Sequence, residues 1–433
     1  MDPIFDRNKS LIEVYFDLCE KYEKIYEKCV VLMEVGSFFE AYGIDNDIEK
    51  IGHAKLIGEI LNIAVTRRSK AIAVNNRKNP LMAGITSIAL EKYVKVLIEN
   101  GYTVVLVEQV TPPPHPKRKV TQILSPGTYL NNSMVDQNNI ISIYIEQVNC
   151  KQVPSYCIGL SLIDLTTGKN SIQEVYDKKE DKNYALDEAI RYILANTPNE
   201  IIINTKDLDM NKEQLISRLH LYTNKLIHIR INSINPEYYK ISYQQKFLKT
   251  VFNYDSLLNP IEHFNLERMN YARISYLLLL NYAYQHNENI IRNIEYPIIT
   301  EDDKYLHLDT TTINQLNVVN PKDNFYRTNK RYCSLFEVIN YTSNVMGRRL
   351  LKYRLLNPII DVNILNTRYD LITEMMLDNK YTEYEKYLKI VNDLERLHRK
   401  ISLGLLHPYE IDGLLDSYEI IKDLINIVKP FNA

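Results

Sequence analysis

The chain has 433 residues, too many for one ordinary core, so two to four domains are expected. It is 45% hydrophobic and 24% charged with a net charge of −2, which excludes a protein that covers nucleic acid with its whole surface. No apolar run reaches the 18 or so residues of a membrane span, and any contact with DNA must be local.

Five scattered cysteines (Cys19, Cys29, Cys150, Cys157, Cys333) form no C-x-x-C pair. They read as reduced thiols in an intracellular, reducing compartment, and Met1-Asp2-Pro3 starts no signal peptide. With 33 Tyr and only 12 Gly, the chain has the bias of an AT-rich coding sequence.

In chain order, an amphipathic helix is expected over 8–28, then β-rich segments at 30–35, 62–66 and 103–108. A helix over 89–100 ends at Gly101 as its C-terminal cap, and the whole of 1–132 reads as a small mixed α/β domain. Pro112-Pro113-Pro114-His115-Pro116 is a stiff connector or loop that no strand ladder can include.

The second region, 133–252, has strand-like runs at 141–146, 157–165, 171–176, 201–204 and 226–231. Helical patterns at 186–196 and 212–222 separate the later ones, again α/β. The third, 253–433, is helical. Ile390, Leu394, Leu397 and Ile401 recur on one helix face, and Leu350, Leu351, Leu355 and Leu356 stop before Pro358.

Motifs for catalysis are absent. There is no G-x-x-x-x-G-K-S/T to cradle a triphosphate, no H-E-x-x-H and no G-x-S-x-G, so the chain reads as non-catalytic, without cofactor or metal.

Charge placement is more informative. Residues 60–90 contain no acid yet hold Arg67, Arg68, Lys70, Arg77 and Lys78; residues 109–135, also acid-free, hold Lys117, Arg118 and Lys119. Such local positive fields suit phosphate oxygens, although acids from elsewhere in the fold could neutralise them. Gly36-Ser37-Phe38-Phe39-Glu40 follows the apolar run 30–35 directly. A Phe38 at a bend could wedge between bases, with Glu40 on the same strand face, but an aromatic in a strand is more often core.

The segment Gly36-Ser37-Phe38-Phe39-Glu40 resembles the Gly-Asp-Phe-Tyr-Glu of the MutS mismatch-repair family. In the same order, Val65-Thr66-Arg67-Arg68 is similar to that family's Leu-Thr-x-Arg, and Pro80-Leu81-Met82-Ala83-Gly84-Ile85 to its Pro-Met-Ala-Gly-Val. Val107-Glu108-Gln109 and Ser125-Pro126-Gly127-Thr128 follow suit. So do Ser161 to Gly168, Leu306-His307-Leu308-Asp309, Met346 to Leu351 with Asn357-Pro358, and Asp393-Leu394-Glu395-Arg396. Ser37 and Thr86-Ser87-Ile88 depart from the family pattern.

The resemblance implies a mismatch-recognition domain (1–132), a ribonuclease-H-like α/β connector (133–252) and a helical core/lever (253–433) that stops before the clamp and ATPase. It further implies that Phe38 stacks on a mispaired base while Glu40 hydrogen-bonds it. The partners implied are double-stranded DNA with mismatches or small loops, and other mismatch-repair proteins. A longer form would bind ATP and Mg2+ and dimerise. The composition fits the large fused forms of giant viruses and coral mitochondria. Other readings remain open: a scaffold or branched-DNA binder without mismatch specificity, or a metal nuclease on the second region around Asp164, with Asp187 or Glu188. The arginines Arg348, Arg349, Arg396 and Arg399 are expected to cap helices or pair with acids, and Tyr271, Tyr276, Tyr282 and Tyr284 to pack in the core.

Overall fold

The computed structural model describes residues 9–72, 74–112, 116–130, 136–150, 153–221, 226–254, 256–300, 304–306, 308–319 and 333–428. Pro113, Pro114 and His115, His307, and the boundary expected near 132 lie outside these residues. The chain divides into two compact units: 1–129 with Tyr282–Glu288, and 130–281 with 289–433. Among the described residues no helix is long and apolar enough to cross a membrane.

The first unit begins with α1 (Leu11–Glu23), shorter than expected at both ends. Ser10 starts it with a capping box: its hydroxyl accepts from the Glu13 N–H, and the Glu13 carboxylate accepts from the Ser10 N–H. Ser10→Ala should cost about 1 kcal/mol, read as a lower urea midpoint with an unchanged slope.

The apolar runs foreseen at 30–35 and 103–108 are β1 (Cys29–Val35) and β6 (Thr103–Gln109), which pair in parallel. Val30 to Met33 and Val104 to Val107 are all buried, as expected of strands covered on both faces. Around them lie β2 (Phe38–Asp45), β3 (Lys50–Gly52), β4 (Val65–Arg67), β5 (Leu81–Thr86) and β7 (Arg118–Leu124). The order is β4-β5-β2-β1-β6-β7, with β3 paired to β2. Helices α2 (Ala54–Leu61) and α3 (Leu90–Glu99) pack against this sheet. Helix α3 ends as foreseen: Gly101 has φ +80°, its N–H reaches Ile98 O, and that of Tyr102 reaches Leu97 O, a Schellman cap.

The second unit is built on β8 (Asn139–Cys150), β9 (Val153–Asp164), β10 (Asn170–Tyr176), β11 (Glu200–Lys206), β12 (Leu226–Arg230) and β13 (Ile298–Ile299), ordered β12-β11-β8-β9-β10-β13. Strands β8, β9 and β10 are antiparallel neighbours; β11 and β12 add in parallel on the β8 side. Helices α4 (Tyr184–Asn196) and α5 (Lys212–Arg218) cover one face through Ile141, Ile143, Ile158, Leu186, Ala189 and Leu215. The other face receives residues of α8 (Asn270–His286), packed on Tyr144 through Ile274 and Leu278. Its Ser275 hydroxyl donates to Ser142 O at 2.8 Å. Gly159 makes that approach possible, because a Cβ there would lie 2.0 Å from Tyr271 O. Residues past 252 thus join the layer over this sheet through α8, and α6 (Ile241–Phe252) and α7 (Pro260–His263) precede it.

The remaining helices are α9 (Thr310–Gln315), α10 (Leu335–Ile339), α11 (Val345–Leu356), α12 (Val362–Met376), α13 (Tyr381–Leu388), α14 (Leu394–Leu403) and α15 (Pro408–Val428). The apolar stripe read from Ile390 to Ile401 is not one helix face. Helix α14 starts at Leu394, and Ile390 and Ile401 are exposed. The reason is polar: Asn392 bonds to Ser417 and Gly413, and Asp393 binds Arg349, which ties down the turn before the helix. Arg348, Arg349 and Arg396 pair with acids as expected, and Arg399 does not, since buried carbonyls take its donors instead. Arg349 is buried against Asp393 and Glu395, Arg348 meets Glu337 and Asp136, Arg396 donates to Asp136 O, and Arg399 donates to backbone carbonyls of 290–293. Tyr276 and Tyr282 are buried, while Tyr271 stacks on Tyr144.

Candidate nucleic-acid interface

The chain turns between β1 and β2 in two residues, Gly36 and Ser37, with Val35 opposite Phe38. Only the first of them has positive φ (Gly36, +63°), the pattern of a type II′ turn that matches strand twist. Ser87 locks the tip: its N–H and its hydroxyl both donate to Ser37 O, at 3.0 and 2.9 Å.

Phe38 is the first residue past this turn and is 44% exposed, whereas Phe39 beside it is buried. Alternation divides their roles: Phe39, Ala41 and Ile85 face the core, while Phe38, Glu40, Gly84 and Thr86 share the other face. Gly84 lies directly across from Glu40 and is exposed. A Cβ there would stand 3.9 Å from both Glu40 Cγ and Phe38 Cδ1, so the absent side chain leaves a recess between ring and carboxylate.

Glu40 is half-buried and its Oε2 accepts a hydrogen bond from the Tyr42 hydroxyl. Burial and that bond raise the Tyr42 hydroxyl above its ordinary range, while Arg68 and Arg118 act the other way. Arg118, at the start of β7, donates from Nε to Glu34 O at 3.0 Å. Burial pulls its guanidinium down from the ordinary value, and Tyr42, Glu34 and Glu40 oppose that shift. The tip therefore presents a ring, a carboxylate held by a tyrosine, and an arginine within electrostatic reach of that carboxylate and tyrosine.

Because β1 and β6 run parallel, the loop after Gln109 leaves the sheet at the same end as the tip. Lys117, Arg118 and Lys119 follow it into β7, with Lys117 exposed and Lys119 opposite Glu108. Val110 (48% exposed) and Ile88 (fully exposed) add apolar surface at this end.

The other basic window emerges differently. Arg67 closes β4 opposite Leu81, and the 68–80 loop follows at the far end of β5, roughly 17 Å along the strand from Thr86. Arg68, whose N–H donates to Pro80 O, still acts on Tyr42; Lys70 and Lys78 are exposed. Arg77 forks onto Glu49, with contacts down to 2.6 Å, and lies over the Phe16 ring. Thus Phe38, Glu40 and Lys117 to Lys119 share one end of the sheet, and Lys70, Arg77 and Lys78 stand apart. Tyr42 and Gly84 were missed in the sequence, though period-two spacing from Phe38 through Glu40 reaches Tyr42.

In the second unit, Asp164 accepts from Thr166 N–H and hydroxyl and from the Thr167 hydroxyl, at 2.6 to 3.0 Å. Asp187 pairs with Arg218, and Glu188 with Arg191. These carboxylates cap a turn and pair with arginines; they do not converge on one point.

The family model described as MutS domain I matches residues 10–133, and that described as MutS domain III matches 311–433. A putative DNA mismatch repair protein MutS homologue of Acanthamoeba polyphaga mimivirus is 33% identical over 98% of this chain and 40% of its own length. DNA mismatch repair protein MutS of Clostridioides difficile is 26% identical over 94% of this chain and 39% of its own. That of Thermotoga maritima is 26% identical over 96% and 46%. The chain therefore spans less than half the length of these relatives.

Proposed function

Because the chain belongs to the MutS family of DNA mismatch-repair proteins, we propose that its first unit binds double-stranded DNA at mismatches or small loops, with Phe38 as an aromatic wedge that kinks the duplex. The observation that carries this is a half-exposed phenylalanine at a rigid two-residue turn, next to a recess at Gly84 and a held carboxylate.

Inserting the ring unstacks one base step at a cost of a few kcal/mol, least where pairing is already broken. Stacking on the ring returns about 1–3 kcal/mol. At a matched pair the deficit stands; at a mispair it shrinks or reverses. Discrimination is then largely a matter of how easily the duplex kinks. Glu40 hydrogen-bonds the mispaired base across the Gly84 recess and repels phosphate elsewhere.

Lys117, Arg118 and Lys119 hold flanking phosphates without reading sequence, and Arg67, Arg68, Lys70 and Lys78 form a second, more distant basic set, from which Arg77 drops out because Glu49 takes its fork. Neutralising Lys117 and Lys119 together should lower the slope of log K against log salt by about 1.8. Anisotropy titrations between roughly 50 and 200 mM salt measure it, and an unchanged slope would remove these lysines from the backbone interface.

The second unit serves as connector and core. Its β10-β9-β8-β11-β12 order supports a ribonuclease-H-like sheet, and 253–433 supplies the helical lever. ATP and Mg2+ binding, dimerisation and contacts with other repair proteins are proposed for a longer form. The deciding experiment is competition between mismatched and matched duplex for the chain. Equal affinity for both would overturn the proposal and favour a branched-DNA binder or scaffold.

A further inference from the structure

The end of the first sheet opposite the tip carries a separate cluster. Cys19 and Glu23 stand four residues apart on α1, hence on one face of adjacent turns. His53 immediately precedes α2 and makes no cap hydrogen bond; the pairing of Gly52 with Gly43 holds it there. One donor atom from each of Cys19, Glu23 and His53 lies within 4.8 Å of the other two. His53 Nε2 is 3.5 Å from Glu23 Oε1, and its Nδ1 is buried without a hydrogen-bond partner. A ring nitrogen shut off from water in this way is costly; a cation bound at Nδ1 satisfies it, and one bound at Nε2 takes over the contact to Glu23.

We propose that Cys19, Glu23 and His53 bind one divalent cation of the zinc class. Thiolate, imidazole and carboxylate together suit zinc and disfavour magnesium or calcium, which take oxygen. Tetrahedral zinc with these donors needs them about 3.3–3.7 Å apart, so the cluster closes by at most about an ångström. Glu23 and His53 can make that movement, since their side chains are 40% and 23% exposed. The same exposure provides an entry path.

Cys29, at the start of β1, is a second buried thiol nearby; burial and then Glu23 push it up to about 12. Burial likewise raises Cys19. A cation takes the place of the thiol proton, releasing it to solvent, and makes the thiolate the stable form. The bound ion would staple α1 to the start of α2. It lies roughly 20 Å from Phe38, the length of β1, so it stabilises the unit without touching the tip.

The test is a titration of the chain with Zn2+ and with Co2+ after chelator treatment. One metal per chain should bind, with a thiolate-to-cobalt charge-transfer band and the visible spectrum of tetrahedral cobalt. The melting temperature should rise by on the order of 5–10 °C. His53→Gln and Glu23→Gln alter partly exposed side chains and should keep the far-ultraviolet circular dichroism of the native chain. Each should bind at least tenfold more weakly, and Cys19→Ala should abolish the charge-transfer band. An octahedral cobalt spectrum without that band, or equal affinity in native chain and folded His53→Gln, would overturn the proposal.

Discussion

Phe38→Ala should lower the ratio of mismatched to matched duplex affinity by about 5- to 150-fold, the equivalent of one base stack worth about 1–3 kcal/mol. Affinity for matched duplex should stay close to its original value, because electrostatic binding does not use the ring. The substitution should also be mild for folding. The ring is 44% exposed, and its neighbour Phe39, not Phe38, fills the core. Phe39→Ala is the instructive contrast: it removes a buried ring and should cost about 3–5 kcal/mol of stability. Competition with paired duplexes differing in one base reads the first effect, and denaturant unfolding separates it from the second. If Phe38→Ala retains full mismatch preference while folded, the wedge is wrong.

Strands β1 and β6 were legible because their apolar runs are short and rich in valine, which favours strands buried on both faces over a helix. That Phe38 and Glu40 share a face followed from a period of two, whereas the exposure of Phe38 was implied only by the family resemblance, since pattern alone favours a core ring. Their surroundings were not legible, because partners come from distant parts of the chain. Ser87 fixes Ser37 from 50 residues away, Gly84 faces Glu40 across β2 and β5, and Arg118 bonds to Glu34 O. Charge counting failed at Arg77 for the same reason. An acid-free window of sequence does not exclude an acid folded against it, and Glu49 lies 28 residues before Arg77. In the helical part, the i, i+4, i+7 rule assumed that the inward face is apolar. Helix α14 instead buries Arg399 beside Leu397, with Asp393 just ahead of it tied to Arg349, so polar pairing decided where it begins.

Glu40→Gln should raise affinity for matched duplex by about tenfold, roughly 1.4 kcal/mol, by removing a negative charge from a surface that meets phosphate. Gln is the right replacement because its amide oxygen can still accept from the Tyr42 hydroxyl, so the side chain keeps its place while losing its charge. Glu40→Ala removes charge and hydrogen bond together. Arg118 makes the prediction sharper. Its guanidinium lies within reach of the Glu40 carboxylate and offsets part of its repulsion. Arg118→Gln alone should therefore weaken matched-duplex binding, and the double substitution should fall near the original affinity. The non-additive part of this cycle measures how strongly the two charges are coupled. Affinity for mismatched duplex should rise less than affinity for matched duplex in Glu40→Gln, because the lost charge also served the mispaired base. A uniform increase on both duplexes would mean that Glu40 repels DNA in general and reads no base.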